Sequence, residues 1–484
     1  MKDMKNMSKT IGGWCFTLCL LSACGVQEPV ADVQADVLPA LFPDYVDVTI
    51  PANIAPLRFR LSEPADEARL VLESPSGKWV LAADGRDFLI PQKKWKKWLQ
   101  EAQGETIRVK VMTRTDGKWT AYRTFCWYVS ADVLDPYLVY RLVEPGYVLW
   151  NKMGIYQRDL TGFDEKALLV NTQFETNCMN CHTFNQRNPH QWLFHMREKL
   201  GGTYFVRDGQ VRKVNGKLSD RIQSLVYPYW HPSGRFVAFS TNTTRQAFHR
   251  SDRNRVEVFD LASDVLVYDI ERHEALTDSC TASPAVFETF PAFSPDGSTL
   301  YFCSADTLSM PTSFQEVRYS LCSMGFDAEK RTFVPPVDTL YSSAAEGGSV
   351  SFPRVSPDGR FLVYTKASYG NFSIWHKDAD LYLLDLQTRQ SHPLEAVNSD
   401  DVESYHTWSS NSRWMVFSSR RMDGLFTRPY IVHIDSLGQA AKPFLLPQAS
   451  PGFYDTFRFS YNLPELVEGE VDMNRQQVLE AARQ

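Results

Sequence analysis

Four short stretches of this sequence repeat one pattern and constrain the fold more than any other feature. They read WHPSGRFVAFST at 230–241, FSPDGSTLYFCS at 293–304, VSPDGRFLVYTK at 355–366 and WSSNSRWMVFSS at 408–419. Proline presets the backbone angle φ of a turn, Asp or Ser bonds the turn backbone, and glycine accepts a positive φ. The side chains that follow alternate between the two faces of a β-strand, as in Phe361 and Val363 against Leu362 and Tyr364. Each stretch therefore predicts a tight turn that opens a strand.

Each stretch continues into a second half that reads strand, polar turn, strand. The second halves span 254–270, 317–335, 379–394 and 428–446. Repeats of about four strands are typical of a β-propeller. Because four blades rarely close a ring alone, we assign two more blades to the alternating stretches at 137–160 and 192–214. The sequence therefore predicts an all-β chain with a six-bladed propeller over 132–465 and a C-terminal tail over 466–484.

The region before the repeats, 40–131, has a different pattern. Short alternating segments such as YVDVTIP, LRFRLSE and IRVKVMTRTD are separated by turn residues. This pattern is typical of a small β-sandwich of the immunoglobulin or fibronectin type. Trp95 and Trp98 lie three residues apart in a lysine-rich stretch, which predicts a short amphipathic helix that packs through its tryptophans.

The S-P-D-G-x-x-hydrophobic strands resemble the WD-like propeller repeats of the TolB-like family over about residues 225–450. This resemblance implies the fold and no single activity, because such repeats occur in many binding proteins and also beside hydrolase domains. A hydrolase elbow of the G-x-S-x-G type is missing, since GGSVS at 347–351 has no closing glycine. These observations favour a carrier or a binding protein over an enzyme. The net charge of −6, with basic residues spread along the chain, argues against a nucleic-acid partner.

The first segment has the features of an export signal. Lysines precede an apolar stretch over 11–21, which is too short to span a bilayer, and Leu21-Ser22-Ala23-Cys24 follows. These residues resemble the lipobox of bacterial lipoproteins, which implies a signal peptide over 1–24, a lipid on Cys24 and a tether over 25–39. An ordinary signal peptide cut elsewhere is the alternative. We expect a lipoprotein of the cell envelope, in the outer membrane, facing the periplasm or the cell surface.

Residues 178–182 read CMNCH, the C-x-x-C-H pattern of c-type haem attachment. In this interpretation Cys178 and Cys181 form thioethers to one haem from one helical turn, and His182 binds the iron. Attachment takes place outside the cytoplasm, where the export signal sends the chain. A structural disulfide, a metal site and a redox dithiol remain as alternatives. A closed zinc site needs four ligands, and this motif offers at most three.

The wider segment 175–205 resembles a subgroup of TolB-like propeller lipoproteins, common in Bacteroidota, with a single c-type haem motif ahead of the repeats. Members are often labelled cytochrome c biosynthesis proteins, a label that rests on similarity. The resemblance implies one covalent haem c and an insertion carrying its motif at 174–200.

The sixth ligand of the haem iron has several candidates. His195 is the first, because a Phe-His pair precedes the GGT turn in the resembling proteins. Met196, His190 and His249 are the alternatives, and a five-coordinate haem is another. If this segment is a strand, His195 and Met196 point to opposite faces and only one of them can be a ligand.

Two functions follow from these expectations. The first is a lipid-anchored monohaem protein that docks a redox partner or another envelope protein on its propeller, for electron transfer or redox sensing. The second is a non-catalytic binding or assembly module with a structural haem or a disulfide at CMNCH. Outside the motif, Cys303 and Cys322 lie on neighbouring predicted strands and either pair or act as small buried apolar residues.

Overall fold

The computed structural model describes residues 26–144, 152–252 and 254–483. The leader with Cys24 lies outside these residues. The described chain is mainly β-structure, arranged in six four-stranded sheets, one seven-stranded sheet and one three-stranded sheet. None of its helices is long and apolar enough to cross a membrane.

The N-terminal region contains ten strands and one helix. They are β1 (Val33–Gln34), β2 (Leu41–Phe42), β3 (Val48–Pro51), β4 (Phe59–Leu61), β5 (Glu67–Ser74), β6 (Gly77–Ala82), β7 (Asp87–Phe88), α1 (Gln92–Glu101), β8 (Thr106–Thr115), β9 (Lys118–Ala121) and β10 (Phe125–Ser130). Strands β2, β4 and β7 form the small sheet, and the others form the seven-stranded sheet. The immunoglobulin or fibronectin type of this region stays a prediction.

Helix α1 packs through its tryptophans, as the sequence predicts. Trp95 is fully buried, and its indole nitrogen donates a hydrogen bond to the Ile54 carbonyl at 2.9 Å. Trp98 meets Trp79 edge to face, with ring centroids 5.9 Å apart. The helix therefore covers the sheets of the N-terminal region.

The remaining strands and helices make up a ring of six blades and its flanking segments. They are β11 (Tyr137–Val143), β12 (Met153–Asp159), β13 (Glu165–Val170), β14 (Met179–Phe184), β15 (Gln191–Met196), β16 (Gly202–Arg207), β17 (Gln210–Val214), β18 (Val226–Trp230), β19 (Phe236–Phe248), β20 (Val256–Asp269), β21 (Glu274–Leu276), β22 (Val286–Phe293), β23 (Thr299–Asp306), β24 (Ser320–Asp327), β25 (Thr332–Tyr341), α2 (Ser343–Glu346), β26 (Ser349–Val355), β27 (Phe361–Ala367), β28 (Asp380–Asp385), β29 (Gln390–Pro393), β30 (Glu403–Trp408), β31 (Trp414–Ser419), β32 (Arg428–His433), β33 (Phe444–Leu445), α3 (Phe453–Thr456), β34 (Ser460–Val467) and α4 (Arg475–Ala482).

Blades 1 to 5 are consecutive four-stranded sheets, β14–β17, β18–β21, β22–β25, β26–β29 and β30–β33. Blade 6 joins the two ends of the propeller. Its inner strand β34 comes late in the chain and pairs with β11, and strands β12 and β13 follow outward. The inner strands β14, β18, β22, β26, β30 and β34 contact one another in this order, and β34 touches both β30 and β14. The ring is therefore closed, and its number of sheets agrees with the six predicted blades.

Two predicted boundaries differ from the observed architecture. The interval 174–200 is not inserted between blades, because it supplies β14 and β15, the two inner strands of blade 1. The predicted C-terminal tail begins inside β34 and ends in α4, whose Val478 and Ala481 are buried in the apolar cluster beside blade 1. Both differences arise because a blade is assembled from distant chain segments that local patterns do not connect.

The repeat turns have the chemistry that the sequence predicts. Gly234, Gly297 and Gly359 adopt positive φ values of 69°, 77° and 74°. At Gly297 there is also no room for a side chain, since an added Cβ would lie 2.2 Å from Nε2 of His231. Each turn therefore fixes the step from an inner strand to the second strand of its blade.

Closure through β34 gives a stability prediction. Leu466 is fully buried and pairs with Leu138 of β11, so Leu466→Ala should lower the free energy of unfolding by about 2–5 kcal/mol. The matched variant Leu437→Ala, at a side chain that is 70% exposed, should change it little. Urea unfolding followed by tryptophan fluorescence measures both variants. Equal midpoints for the two would contradict the closure by this strand.

Candidate functional site in the propeller channel

Every inner strand of the propeller carries a β-bulge at the same height. The pairing register shifts there in all six blades, and one residue of each bulge has a positive φ near 50°. These residues are Cys181, Tyr227, Phe290, Phe352, Tyr405 and Leu463, and all six line the central channel. A bulge inserts an extra residue and re-aims its side chain. Cys181 thus stands where the other blades place a Tyr, Phe or Leu.

The residue that follows each of these six is a proline or a histidine in every blade. It is His182, Pro228, Pro291, Pro353, His406 and Pro464 in blades 1 to 6. Proline suits this position because a bulged residue is left out of the ladder of backbone hydrogen bonds. The Cys-His pair of CMNCH therefore falls on the bulge of blade 1.

This placement corrects the expected backbone of the motif. CMNCH begins just before β14 and continues along it, so it is a bulged strand and not a helical turn. The reason is tertiary: β14 pairs with β15 across Asn180 and His195 and again across Thr183 and Leu193. The spacing of cysteines along the chain carries no information about that pairing.

His182 is a buried imidazole that faces the backbones of Val139 and Leu463. His182 is 4% exposed, and neither of its ring nitrogens has a hydrogen-bond partner of standard geometry. Burial, assisted by the charge of Arg141, lowers the pKa of His182 to about 3, although the backbones of Val139 and Leu463 act in the opposite direction. His182 is therefore neutral at physiological pH, with the lone pair of one ring nitrogen available to a ligand.

His406 occupies the equivalent position in blade 5, and one of its ring nitrogens has a hydrogen bond. Its Nε2 lies 2.8 Å from the carbonyl oxygen of Val363, which belongs to the second strand of the preceding blade. Burial lowers the pKa of His406 to about 3 as well. The backbones of Val363 and Phe352 act on His406 as those of Val139 and Leu463 act on His182. The two histidines therefore have corresponding surroundings and differ in the geometry of one hydrogen bond.

The two cysteines of the motif are buried and free. Cys178 is 6% and Cys181 is 9% exposed, and no disulfide joins them. Burial raises the pKa of the Cys181 thiol, against the nearby charges of Arg197 and Arg141. The Cys178 sulfur lies 3.7 Å from Nδ2 of Asn180. Both cysteines are therefore free thiols, and Cys181 faces the channel.

The predicted candidates for a sixth ligand lie in different places. His195 sits in β15 directly opposite Asn180, and its Nδ1 is 3.2 Å from Oγ1 of Thr203. Burial, with the charge of Arg197, lowers the pKa of His195 to about 4. Met196 points to the other face of this strand and packs in an apolar cluster with Met179. Alternation along β14 puts Cys178 and Asn180 on the face of His195.

The other two candidates are remote from Cys178. His190 is exposed in the turn between β14 and β15, at the far end of these strands. His249 lies at the tip of the long hairpin β19–β20, where its amide bonds the carbonyl of Arg255. Of the four candidates, His195 is therefore the one that lies on the same strand face as Cys178.

Below the ring of bulges, charged side chains join the aromatic and proline residues of the channel wall. The channel has about 1240 Å³ of empty volume, its open part included, and reaches the repeat turns. Its charged lining residues are Arg187, Arg354 and Glu465. Sequence reasoning missed all three. Aligning YPYW (227–230), FPAF (290–293), FPRV (352–355) and LPEL (463–466) would have found Arg354 and Glu465, because both stand two residues after the bulge.

Glu465 connects the closing strand to the strand of the motif. Its Oε1 accepts hydrogen bonds from Oγ1 of Thr183 at 3.0 Å and from the backbone N–H of Phe184 at 3.2 Å. Burial raises the pKa of Glu465 to about 7, while the charges of Arg354 and Arg187 act against this rise. Glu465 is therefore partly protonated at neutral pH.

The long hairpin of blade 2 is held in place at the opposite end of the channel. Asp260 of β20 accepts hydrogen bonds from Tyr319 at 3.1 Å and from Asn371 at 2.6 Å, in blades 3 and 4. Glu257 of the same strand lies 2.8 Å from Nε2 of His376. These buried contacts hold the hairpin against blades 3 and 4, near the Tyr227 bulge.

Cys303 and Cys322 do not pair. They lie on the adjacent strands β23 and β24, but Cys303 is opposite Leu321 and Cys322 is opposite Phe302. The two side chains pack in separate apolar clusters on opposite faces of blade 3. They act as small buried apolar residues. Within the described ranges, no group of three or more His, Cys, Asp or Glu residues is placed to hold a metal ion.

The fold is that of a six-bladed β-propeller, as the sheet order shows. No family model matches this sequence, and no curated protein matches it. Among solved structures, TolB from Acinetobacter baumannii is similar at 11% identity and a TM-score of 0.42, over 78% of this chain and 85% of that one. An oligogalacturonate lyase from Vibrio parahaemolyticus is similar at 11% identity and a TM-score of 0.34, over 62% of this chain and 78% of that one.

The raised pKa of Glu465 gives a pH-dependent prediction. Between pH 4.5 and about 7, the folded chain keeps a proton on Glu465 that the unfolded chain releases, so this group makes the free energy of unfolding fall as pH rises. Glu465→Gln removes this contribution. The free energy of unfolding of the variant, relative to the parent, should therefore rise across this window.

Urea unfolding of both proteins at the two ends of that window measures the difference. The exposed Glu105→Gln is the matched control and should show a constant difference. A constant difference for Glu465→Gln would mean that Glu465 does not hold the extra proton.

Proposed function

We propose that this chain is a lipid-anchored envelope protein that carries one covalent haem c on CMNCH and transfers electrons to a partner docked on its propeller. The observation that carries the proposal is the His182 side chain, a buried neutral imidazole without a hydrogen bond of standard geometry. It adjoins the free thiol of Cys181 at the channel wall, and Cys178 is a second buried free thiol. Burying an imidazole without a partner costs folding free energy. Coordination of a metal by His182 would offset that cost.

The donor set fits a c-type haem. Cys178 and Cys181 provide two thiols for thioether bonds, and His182 provides an iron ligand that protons do not occupy above pH about 3. When bound, the haem supplies reversible one-electron chemistry. The chain contributes a dry surrounding through the aromatic rings of Tyr227 and Tyr405 at the same height of the channel. A low-polarity surrounding of this kind tunes a haem potential.

The candidate for the second axial position is His195. It shares a face with Cys178, and its ring is oriented by the contact between Nδ1 and Thr203, as is common for metal-binding histidines. If His182 and His195 both held the iron, the haem would have no open site for a substrate. This arrangement supports electron transfer or redox sensing over an enzymatic reaction.

The location in the cell envelope and the lipid on Cys24 remain proposals from the leader sequence. They agree with the haem proposal, because thioether attachment takes place outside the cytoplasm. The TolB-like character of the repeats and the immunoglobulin-like type of the N-terminal region belong to the same proposal. The redox partner is expected to be another envelope protein.

A second candidate function is a non-catalytic binding or assembly module. One observation favours it: Cys181 and His182 occupy bulge positions that every blade fills with a channel-lining residue, so both have a structural role without haem. In this case CMNCH holds free thiols or a disulfide, and the channel or the propeller surface binds the partner.

Production of the mature protein in a host with haem-attachment machinery separates the two functions. The haem proposal predicts a covalent haem in a denaturing gel stain and a sharp α-band on reduction. The double variant Cys178→Ala and Cys181→Ala should lose the stain, while Cys280→Ala, at an exposed cysteine, should keep it. A soluble, folded parent protein without covalent haem would leave the binding module as the function.

The axial role of His195 has its own readout. His195→Ala should shift the Soret band of the haem-loaded protein, because the sixth ligand changes. His190→Ala, at an exposed histidine of the neighbouring turn, should leave the spectrum unchanged. An unchanged Soret band in both variants would reject His195 as a ligand.

A further inference from the structure

Two arginines in the channel have no carboxylate partner. Among the described residues, neither Arg187 nor Arg354 takes part in an ion pair, although both line the cavity below the bulges. The side chain of Arg354 makes its hydrogen bond to the neighbouring Pro353 carbonyl, at 2.8 Å. The Nε of Arg187 is buried without a hydrogen bond. The two guanidinium groups therefore retain donors that the protein does not use.

Several contacts place the two arginines in the same part of the channel. The guanidinium of Arg354 lies over the ring of Tyr229, 5.1 Å from its centroid. Charges of both Arg354 and Arg187 act on the Tyr229 hydroxyl and on the Glu465 carboxyl. All four groups therefore surround one region of the cavity.

Glu465 does not neutralise this pair. No salt bridge joins it to either arginine within the described chain, and one of its oxygens accepts two hydrogen bonds from Thr183 and Phe184. Burial raises the pKa of Glu465, which reduces its negative charge, and lowers the pKa of Arg354. Arg354 and Arg187 are half-buried, so an incoming anion could form charge-assisted hydrogen bonds with them without displacing a carboxylate.

The geometry points to a carboxylate-binding site formed by Arg354 and Arg187 in the channel, for an organic anion with an aromatic or apolar body. The planar guanidinium matches a carboxylate through two parallel hydrogen bonds. The rings of Tyr229, Trp230 and Trp408 line the same cavity and suit an apolar body. A site with few charged groups in an apolar wall is typical of small-molecule pockets.

Two sources can provide this carboxylate. One is a free ligand that enters the channel, and this source does not depend on the proposed function. The other is a propionate of the proposed haem, since Cys181 and His182 line the same cavity as the arginines. The second source rests on the proposed function, and the experiment separates the two.

The test for a free ligand uses haem-free wild-type protein, made in a host without attachment machinery. Isothermal titration calorimetry compares N-acetyltryptophan with its neutral amide, which has the same body without the carboxylate. The acid should bind and the amide should bind about tenfold more weakly or not at all, as expected for loss of a charged hydrogen-bonded pair. Arg354→Gln should weaken acid binding by about tenfold or more, with the amide unaffected.

Arg108→Gln is the control, because Arg108 is an exposed arginine on β8 of the N-terminal sheet. It should leave binding unchanged. Thermal unfolding shows whether Arg354→Gln is folded, and Arg354→Lys, which keeps the charge without the planar fork, provides a second variant. Lys should retain more acid binding than Gln.

The haem-loaded protein supplies the second arm. If a propionate fills the site, Arg354→Gln should shift the midpoint potential of the haem, Arg108→Gln should not, and the loaded protein should not bind N-acetyltryptophan. The inference is overturned if haem-free protein binds the acid no better than the amide and Arg354→Gln leaves the potential of any attached haem unchanged. Absence of attached haem together with acid-selective binding would reject the proposed function and retain this site.

Discussion

The pairing of β34 with β11 is the constraint on which the rest of the structure depends. It joins a strand at residues 460–467 to one at 137–143 and closes the ring of inner strands. Only a closed ring gives every blade a neighbour on both faces and so buries the blade cores. The same strand delivers Leu463 to the ring of bulges and Glu465 to the channel wall. The strand that closes the ring therefore also supplies two residues of the site.

The bulges turn this closed ring into a binding channel. Each adds a residue with positive φ, a conformation that non-glycine side chains adopt at a cost of the order of 1–3 kcal/mol. Six such residues at one height indicate that the surrounding sheets over-determine the backbone there. In five blades the position holds an aromatic ring or Leu463, and in blade 1 it holds Cys181. The six blades therefore share one backbone framework, and blade 1 differs from the others in having a cysteine at this position.

Local chemistry made much of this fold predictable from the sequence. The Ser-Pro-Asp-Gly turns fix φ at single residues such as Gly297, so four blades followed from the repeats. The other two were inferred from the alternating stretches at 137–160 and 192–214, because four blades rarely close a ring. The strand nature of CMNCH did not, because two cysteines and a histidine at this spacing suit a helical turn as well as a bulged strand. Blade 6 was assigned only to its N-terminal strands, since nothing local connects Leu138 with Leu466.

The candidate site divides in the same way. Cys178, Cys181 and His182 form a contiguous motif, so the sequence singles them out, whereas Arg187, Arg354 and Glu465 meet only when three distant segments close the channel.

Peptide mass spectrometry of the protein purified from its own cells tests the central claim most directly. The account predicts that the peptide containing residues 178–182 carries the mass of a haem on its two cysteines. The same peptide with free thiols or a disulfide would contradict it.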